Sequence, residues 1–285
     1  MTKILVTGAT GNTGSRLIPT LQQAGVEVRA LVHNETKAQP LRDLGVEVVI
    51  GDLDQPATLA PAVDGVDKIY LLTWNGPTQE QQVNNLIAAA KRAGTPHIIR
   101  HSMWGSPQSR IAQQGARAEE TIKASGLPWT LLKPTFFMQN LMMAAQTIAS
   151  DGMLYWDTGD GKLSMIDVRD IVDVAAAVLT QDGHEGRSYI LTGPAAISMH
   201  DVAAAFAKVL GKPVQYVNVP HEASYEAMTG MGIPAWIAAG YGELMQGFSE
   251  GFASRTTDNV KTLTGHAPRS IEQFVRDFTQ VFEVA

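Results

Sequence analysis

The chain has 285 residues, no cysteine and a formal net charge of −6. This excludes disulfides, thiolate chemistry and Cys-ligated metal, and it argues against nucleic acid or an anionic membrane as partner, since either requires a basic footprint. With 45% hydrophobic and 18% charged residues, it has the balance of a folded globule, long enough for one large α/β domain and an appended lobe.

Taken in chain order, short β-rich runs alternate with longer helical patterns. Ile4–Val6 is predicted as a strand, too short for a signal-peptide core. A glycine-rich turn and a helix over Ser15–Ala24 follow, with Gly25 as its cap. Further strands are predicted at Val28–Val32, Val46–Ile50, Lys68–Leu72, His97–Arg100 and Trp129–Leu132. Helices are predicted at Gln79–Ala93, capped by Gly94, and at Ala116–Ala124, ended by Gly126. A helix carrying Phe136–Met143 is expected to leave the sixth strand. This alternation is the signature of βαβ units in a doubly wound parallel α/β sheet of Rossmann type.

Around Asp151–Gly152 and Gly159–Gly161 the pattern changes to turns and short strands. The expected boundary is therefore at residue 150, with 151–285 forming a smaller, mostly helical lobe for substrate. Residues 168–192, through Asp170–Leu179 and Tyr189–Leu191, return to the main sheet. From Ser198 helices dominate, with one β-like run at Val214–Val219. No stretch approaches the roughly 20 apolar residues of a spanning helix, so no membrane partner is expected and the expected location is the cytoplasm.

The turn Gly8-Ala9-Thr10-Gly11-Asn12-Thr13-Gly14 follows a strand and opens a helix, the context a dinucleotide-binding motif requires. Gly8 permits the tight turn, Gly11 lets backbone approach a pyrophosphate, and Gly14 allows close helix–strand packing. The helix beyond it points its N–H groups and positive dipole end at the phosphates. Residues 1–150 are thus expected to bind NAD(P), through Gly8, Thr10, Gly11, Asn12, Thr13 and Gly14.

The choice between the two nicotinamide cofactors rests on the end of the second strand. NAD sites place a carboxylate there for the ribose hydroxyls, whereas Val32-His33-Asn34 offers none. Lys37 falls in the first turn of the next helix, where a cation is disfavoured unless an anion such as the 2′-phosphate accompanies it. NADP(H) is expected over NAD(H), with His33, Asn34 and Lys37 at the phosphate. Glu35 beside them is the feature that would serve NAD.

The segments Thr7–Gly14, Val32-His33-Asn34 with Lys37, Gly51-Asp52-Leu53, Lys133–Met138 and Asp167–Ile171 together resemble the NmrA-like family of atypical short-chain dehydrogenases/reductases. The similarity is greatest to its bacterial quinone oxidoreductase and triphenylmethane reductase branch, and it runs to about Pro220. The resemblance implies that Asp52 and Leu53 border the adenine, that Thr73 borders the nicotinamide side, and that Pro134, Phe136 and Phe137 flank the nicotinamide. The family often has arginine where this chain has His33. Asp170 reads as a helix cap or a buried pair.

Most short-chain dehydrogenases use a Tyr-x-x-x-Lys pair, whose lysine lowers the tyrosine pKa towards the working range. No tyrosine here has lysine four residues later, and Ile111 and Gly115 fall in the corresponding places. Ser102, at the end of the fifth strand, remains as a hydroxyl able to bond a substrate oxygen. His97 and His101 stand too far apart along a strand for one ion, roughly 13 Å, so no metal site is expected. Trp74, Trp104, Phe137 and Met138 are the candidate substrate contacts, with Phe136, Met142, Met143, Met228, Met231, Trp236, Tyr241 and Met245 as further apolar wall or plain core.

These features predict an NADPH-dependent oxidoreductase for a small aromatic, electron-poor acceptor such as a quinone or a cationic dye. Hydride transfer to such an acceptor cancels or delocalises charge and dispenses with a strong protein acid. A non-catalytic NADP(H)-binding redox sensor that controls a partner protein fits the missing pair equally. Monomer and homodimer are both open.

Overall fold

The computed structural model describes residues 2–283. Its strands are β1 (Lys3–Val6), β2 (Glu27–Val32), β3 (Glu47–Ile50), β4 (Lys68–Leu71), β5 (His97–His101), β6 (Trp129–Pro134), β7 (Met153–Trp156), β8 (Arg187–Leu191) and β9 (Gln215–Asn218). Seven form one parallel sheet in the order β3-β2-β1-β4-β5-β6-β8, and β7 and β9 form a separate parallel pair. The chain steps outward from β1 to β3, then returns to the other side of β1 at β4. That reversal is the switch point at which open α/β sheets bind ligands, beyond the carboxyl ends of their strands.

The chain forms two compact units of similar length. The first holds the residues up to Met103, Gln114–Lys133 and Ile171–Tyr189. The second holds Trp104–Gln113, Pro134–Asp170 and the residues from Ile190 onward.

In the first unit, β1 is buried along Ile4-Leu5-Val6 because a parallel strand is covered on both faces. One core cluster joins Leu5, Leu31, Ile69, Leu71 and Ile98 of the sheet to Val83, Leu86, Ile87 and Ala90 of the helix Gln79–Ala93. That helix spaces its apolar residues at helical period and ends at Gly94, whose φ of 151° lies in the region favouring glycine. The helix Arg110–Ala124 starts six residues before the predicted Ala116. Its first turn is weak in apolar signal but is fixed by Arg110, whose backbone N–H and guanidinium both donate to Glu243 within the second unit.

The second unit packs the helix Met199–Leu210, with a reciprocal Ser198–Asp201 capping box, against the C-terminal helices. Phe206, Phe274 and Phe282 form its aromatic core, with ring centroids 4.7 and 6.2 Å from Phe282. Buried Asp170 pairs with Arg269, and Arg169 bridges Asp167 and Asp277. Asp170 is therefore a structural anchor. One expectation fails here: Phe136 and Phe137 precede any helix, and Met138–Ala144 is a 3-10 run that passes into the helix Ala145–Ser150. Tertiary bonds override propensity in that run, because Gln139 donates to Asp167 and accepts from the Val168 amide, both at buried positions.

Candidate functional site

The glycine turn is built by close approach. A Cβ on Gly14 would lie 2.3 Å from the Gly8 carbonyl oxygen and 2.8 Å from the Ala9 Cα, so the helix Gly14–Gln23 reaches the turn only without a side chain there. Gly8 adopts φ +62° and would otherwise strike Leu72. Gly11 has a different environment: its Cβ position meets only the Gly8 oxygen, at 3.3 Å, and the residue is exposed. Thr10 and Asn12 are exposed beside it, while Thr13 is buried. Thr7 fixes the strand end by exchanging hydrogen bonds with the Leu72 backbone at 2.7 and 2.8 Å. Arg16 donates to the Asn12 carbonyl at 2.7 Å and places a guanidinium beside the turn, a residue the sequence reading passed over. This cradle fits a dinucleotide pyrophosphate: bare backbone at the tip, a helix N-terminus behind it and a cation alongside.

Beyond β2, His33 is exposed, and Asn34 caps the 3-10 turn Glu35–Lys37 by accepting from the Lys37 amide at 3.2 Å. The Lys37 ammonium is exposed and has no ion-pair partner among the described residues. Glu35 is engaged by Arg42 in a two-pronged ion pair, which holds its carboxyl below the ordinary carboxylate range. The Glu35 carboxylate, three residues beyond β2, is thus already committed to a cation. After β3, Asp52 accepts from the Asp54 amide, and Leu53 is tied through its carbonyl to buried Asn85 at 2.8 Å. These bonds fix the loop the resemblance assigns to the adenine.

At the ends of β4 to β6 lies a buried polar group that the sequence reading saw only in part. Thr73, 7% exposed, accepts from Arg100 at 2.8 Å. Arg100 itself is buried in the sheet, its Nε without a hydrogen-bond partner among the described residues, and desolvation lowers its pKa to about 10. Ser102 donates to Glu119 at 2.5 Å, and the other Glu119 oxygen accepts from Lys133 at 2.8 Å. His101 turns elsewhere, bonded through Nδ1 to buried Tyr70, and burial beside Arg100 lowers its pKa to about 3. His97 bonds Thr130 instead, so the two histidines serve separate contacts. Gly115 opens beside this group, its Cβ position 3.6 Å from Gln79 Oε1 and 4.0 Å from Ser102 Oγ. Ile111 is buried against Gly240 in the second unit. Arg100 and Glu119 had signals in the sequence: a charge inside an apolar strand, and a carboxylate on the buried stripe Gly115–Ala118–Ile122.

Trp74, just past β4, is 45% exposed and lies over Gly76, where any Cβ would meet the indole at 2.7 Å. Trp104, in the second unit, donates its backbone N–H to the Pro134 carbonyl and stacks on Phe252 at 5.3 Å. Phe136 is buried edge-on against Trp156 and Phe248. Phe137 is half-buried, and Met138 is a core side chain at 1% exposure.

The second unit contains a cavity of about 400 Å³. Phe136, Met143, Met228, Met231, Tyr241 and Met245 line it, all from the apolar set picked out in the sequence. Trp104, Phe137 and Met138 are not among its lining residues. Trp156, the last residue of β7, and Asp157, just after it, also line it and had no sequence signal.

A model of the NmrA-like family matches residues 1–275. An NAD(P)H azoreductase from Xenophilus azovorans is 39% identical over 285 residues, covering 99% of this chain and all of that protein. The NADPH complex of an NADPH-dependent quinone oxidoreductase from Escherichia coli superposes with a TM-score of 0.88 at 29% identity, over 97% of this chain and 99% of that one. The triphenylmethane reductase of Citrobacter sp. with NADP(H) gives a TM-score of 0.85 at 27% identity, over 96% and 99%. No described helix is long and apolar enough to cross a membrane.

Proposed function

The chain belongs to the NmrA-like family, and on that premise we propose that it is an NADPH-dependent oxidoreductase that delivers hydride to an electron-poor aromatic acceptor. The observation that carries this reading is the Gly8–Gly14 cradle, in a chain whose full-length relatives are an NAD(P)H azoreductase and NADPH-bound quinone and dye reductases. The nicotinamide supplies the hydride when bound. The chain's own residues supply phosphate contacts, orientation and charge.

NADPH over NADH is supported by two cations near the end of β2. Lys37 has no ion-pair partner among the described residues, and Arg42 has taken up Glu35, a carboxylate that could otherwise serve an unphosphorylated ribose. Asp52 and Leu53 are the proposed adenine border, Thr73, Pro134, Phe136 and Phe137 the nicotinamide border, and Trp74 and Trp104 acceptor contacts.

Ile111 and Gly115 leave no side chain for the usual tyrosine–lysine acid. Ser102 is the proposed substitute, as a hydrogen-bonding residue of modest strength. An acceptor oxygen would compete with Glu119 for its hydroxyl proton, and Lys133 holds Glu119 in place. Such a group suits quinones and cations, whose reduction needs little acid assistance, and suits simple ketones poorly. Oxidation of NADPH across a panel of quinones, dyes and carbonyls tests the reading.

A further inference from the structure

A glycine inside a helix is a cost that close packing or a positive φ normally explains, and neither holds at Gly115. It is buried within the helix Arg110–Ala124 and is not among the glycines with positive φ, so alanine would hold the backbone better. The nearest atoms to its Cβ position are Gln79 Oε1 at 3.6 Å, Met103 Cγ at 3.8 Å and Ser102 Oγ at 4.0 Å. All three are side-chain atoms of the first unit at ordinary contact distance. A methyl group fits there, and the fold leaves that methyl-sized space open.

Gln79 faces the same space with an unmet acceptor. It is 3% exposed, and its Nε2 donates to the Trp74 carbonyl at 3.2 Å and to Asn75 Oδ1 at 3.3 Å. Those two bonds fix which way the amide points. Its Oε1, the atom turned towards Gly115, has no hydrogen-bond partner among the described residues. A buried acceptor without a donor is costly, so the group that completes this site brings a hydrogen. That group is uncharged, because Arg100 and Lys133 outnumber the Glu119 carboxylate that acts on both. A carbonyl would set its lone pairs against those of Gln79. A hydroxyl donates to Gln79 Oε1, and its oxygen can accept from Ser102.

We infer that the space beside Gly115 takes a phenolic hydroxyl, and that Gln79 distinguishes a protonated ring oxygen from the carbonyl it replaces on reduction. Gln79 is then a specificity residue on the product side of the reaction, and the same amide anchors the loop of Trp74. The inference rests on the proposed placing of the acceptor against Trp74 and Ser102.

The test is equilibrium binding, not turnover. Fluorescence titration of the full chain, with and without NADP⁺, compares 2-naphthol with 2-methylnaphthalene. The methyl has the hydroxyl's size and is more apolar, so only a site that seeks a donor prefers the naphthol. The wild type should bind 2-naphthol about fivefold or more tightly than 2-methylnaphthalene, the worth of one hydrogen bond. Gln79→Met keeps the length without the acceptor and should reverse the order. Gly115→Ala leaves Gln79 intact; it should raise Tm by about 2 °C and weaken 2-naphthol about tenfold. Equal wild-type affinities overturn the inference, and so does a preference that survives Gln79→Met. A stabilised Gly115→Ala that binds 2-naphthol unchanged would mean that the space holds only solvent, and overturns it too. NADPH titration of the same samples separates this inference from the proposed function: intact NADPH binding without a naphthol preference removes the hydroxyl site alone.

Discussion

Two glycines of one turn should respond to the same substitution in opposite ways. A Cβ on Gly14 would lie 2.3 Å from a backbone oxygen and 2.8 Å from a backbone carbon. No flexible side chain can yield there, so Gly14→Ala should cost the ~1–3 kcal/mol typical of overpacking. Up to ~1 kcal/mol of that is offset by alanine's better helix propensity, since Gly14 begins a helix. The net loss of about 1–2 kcal/mol corresponds to a fall in Tm of roughly 2–8 °C for a domain of this length. Gly11→Ala meets only one atom at 3.3 Å, and Gly11 is not among the residues with positive φ. Its stability should stay within about 0.5 kcal/mol of wild type. The new methyl instead occupies the place where pyrophosphate approaches the backbone. Thermal unfolding with and without NADPH reads both effects. Saturating cofactor at 100 times its Kd stabilises the wild type by ~2.7 kcal/mol, and Gly11→Ala should lose most of that increment while its ligand-free Tm is unchanged. A full NADPH shift in Gly11→Ala would place the phosphates elsewhere and refute the reasoning.

Lys37→Ala should weaken NADPH by ~1–2 kcal/mol, the loss of one charge-assisted contact at an exposed site, and leave NADH nearly unchanged; equal losses by titration calorimetry would remove the 2′-phosphate assignment. Ser102→Ala should lower kcat on a neutral quinone about tenfold, the worth of one hydrogen bond in the transition state, and spare a cationic dye. An equal fall on both acceptors would mean that Ser102 only holds Glu119. Acid should destabilise the fold through His101: its folded pKa is about 3 against an ordinary 6.5, so the unfolded chain takes up the proton first. The contribution is intact above pH 6.5 and is lost as pH falls towards 3, at about 1.4 kcal/mol per pH unit. Urea unfolding at pH 7, 6 and 5 should show a shallower slope in His101→Gln, and an unchanged slope would assign the proton uptake to other groups.

The sheet was legible because parallel strands buried on both faces leave near-continuous apolar runs, as at Ile4-Leu5-Val6 and His97-Ile98-Ile99. The helix Gln79–Ala93 was read to the residue because its apolar period and Gly94 mark both its face and its end. The start of the helix at Arg110 was not legible, since it depends on Glu243, more than a hundred residues away. The same holds for the 3-10 run after Phe137, whose geometry follows from Gln139 bonding to Asp167 and Val168. At the candidate site the glycines carried their own signal, because backbone chemistry is local. The Ser102–Glu119–Lys133 chain and the Asp157–His221 pair join residues distant in sequence, and no spacing rule finds them. Trp74 and Trp104 were chosen for their places after strand ends, which sequence can give, whereas the seating of Trp104 on Phe252 is tertiary.

The central claim is that this chain turns over NADPH with acceptors that need little acid assistance. Initial rates of NADPH oxidation on a quinone and on a simple aryl ketone of similar size test it most directly. An alkoxide formed from the ketone lacks the 10²–10⁴-fold help of a general acid, and Ile111 and Gly115 cannot supply it. The account predicts measurable turnover with the quinone and little or none with the ketone. Fast ketone reduction would reveal a proton donor absent from this account, and silence on both acceptors with intact NADPH binding would contradict it in favour of a cofactor sensor.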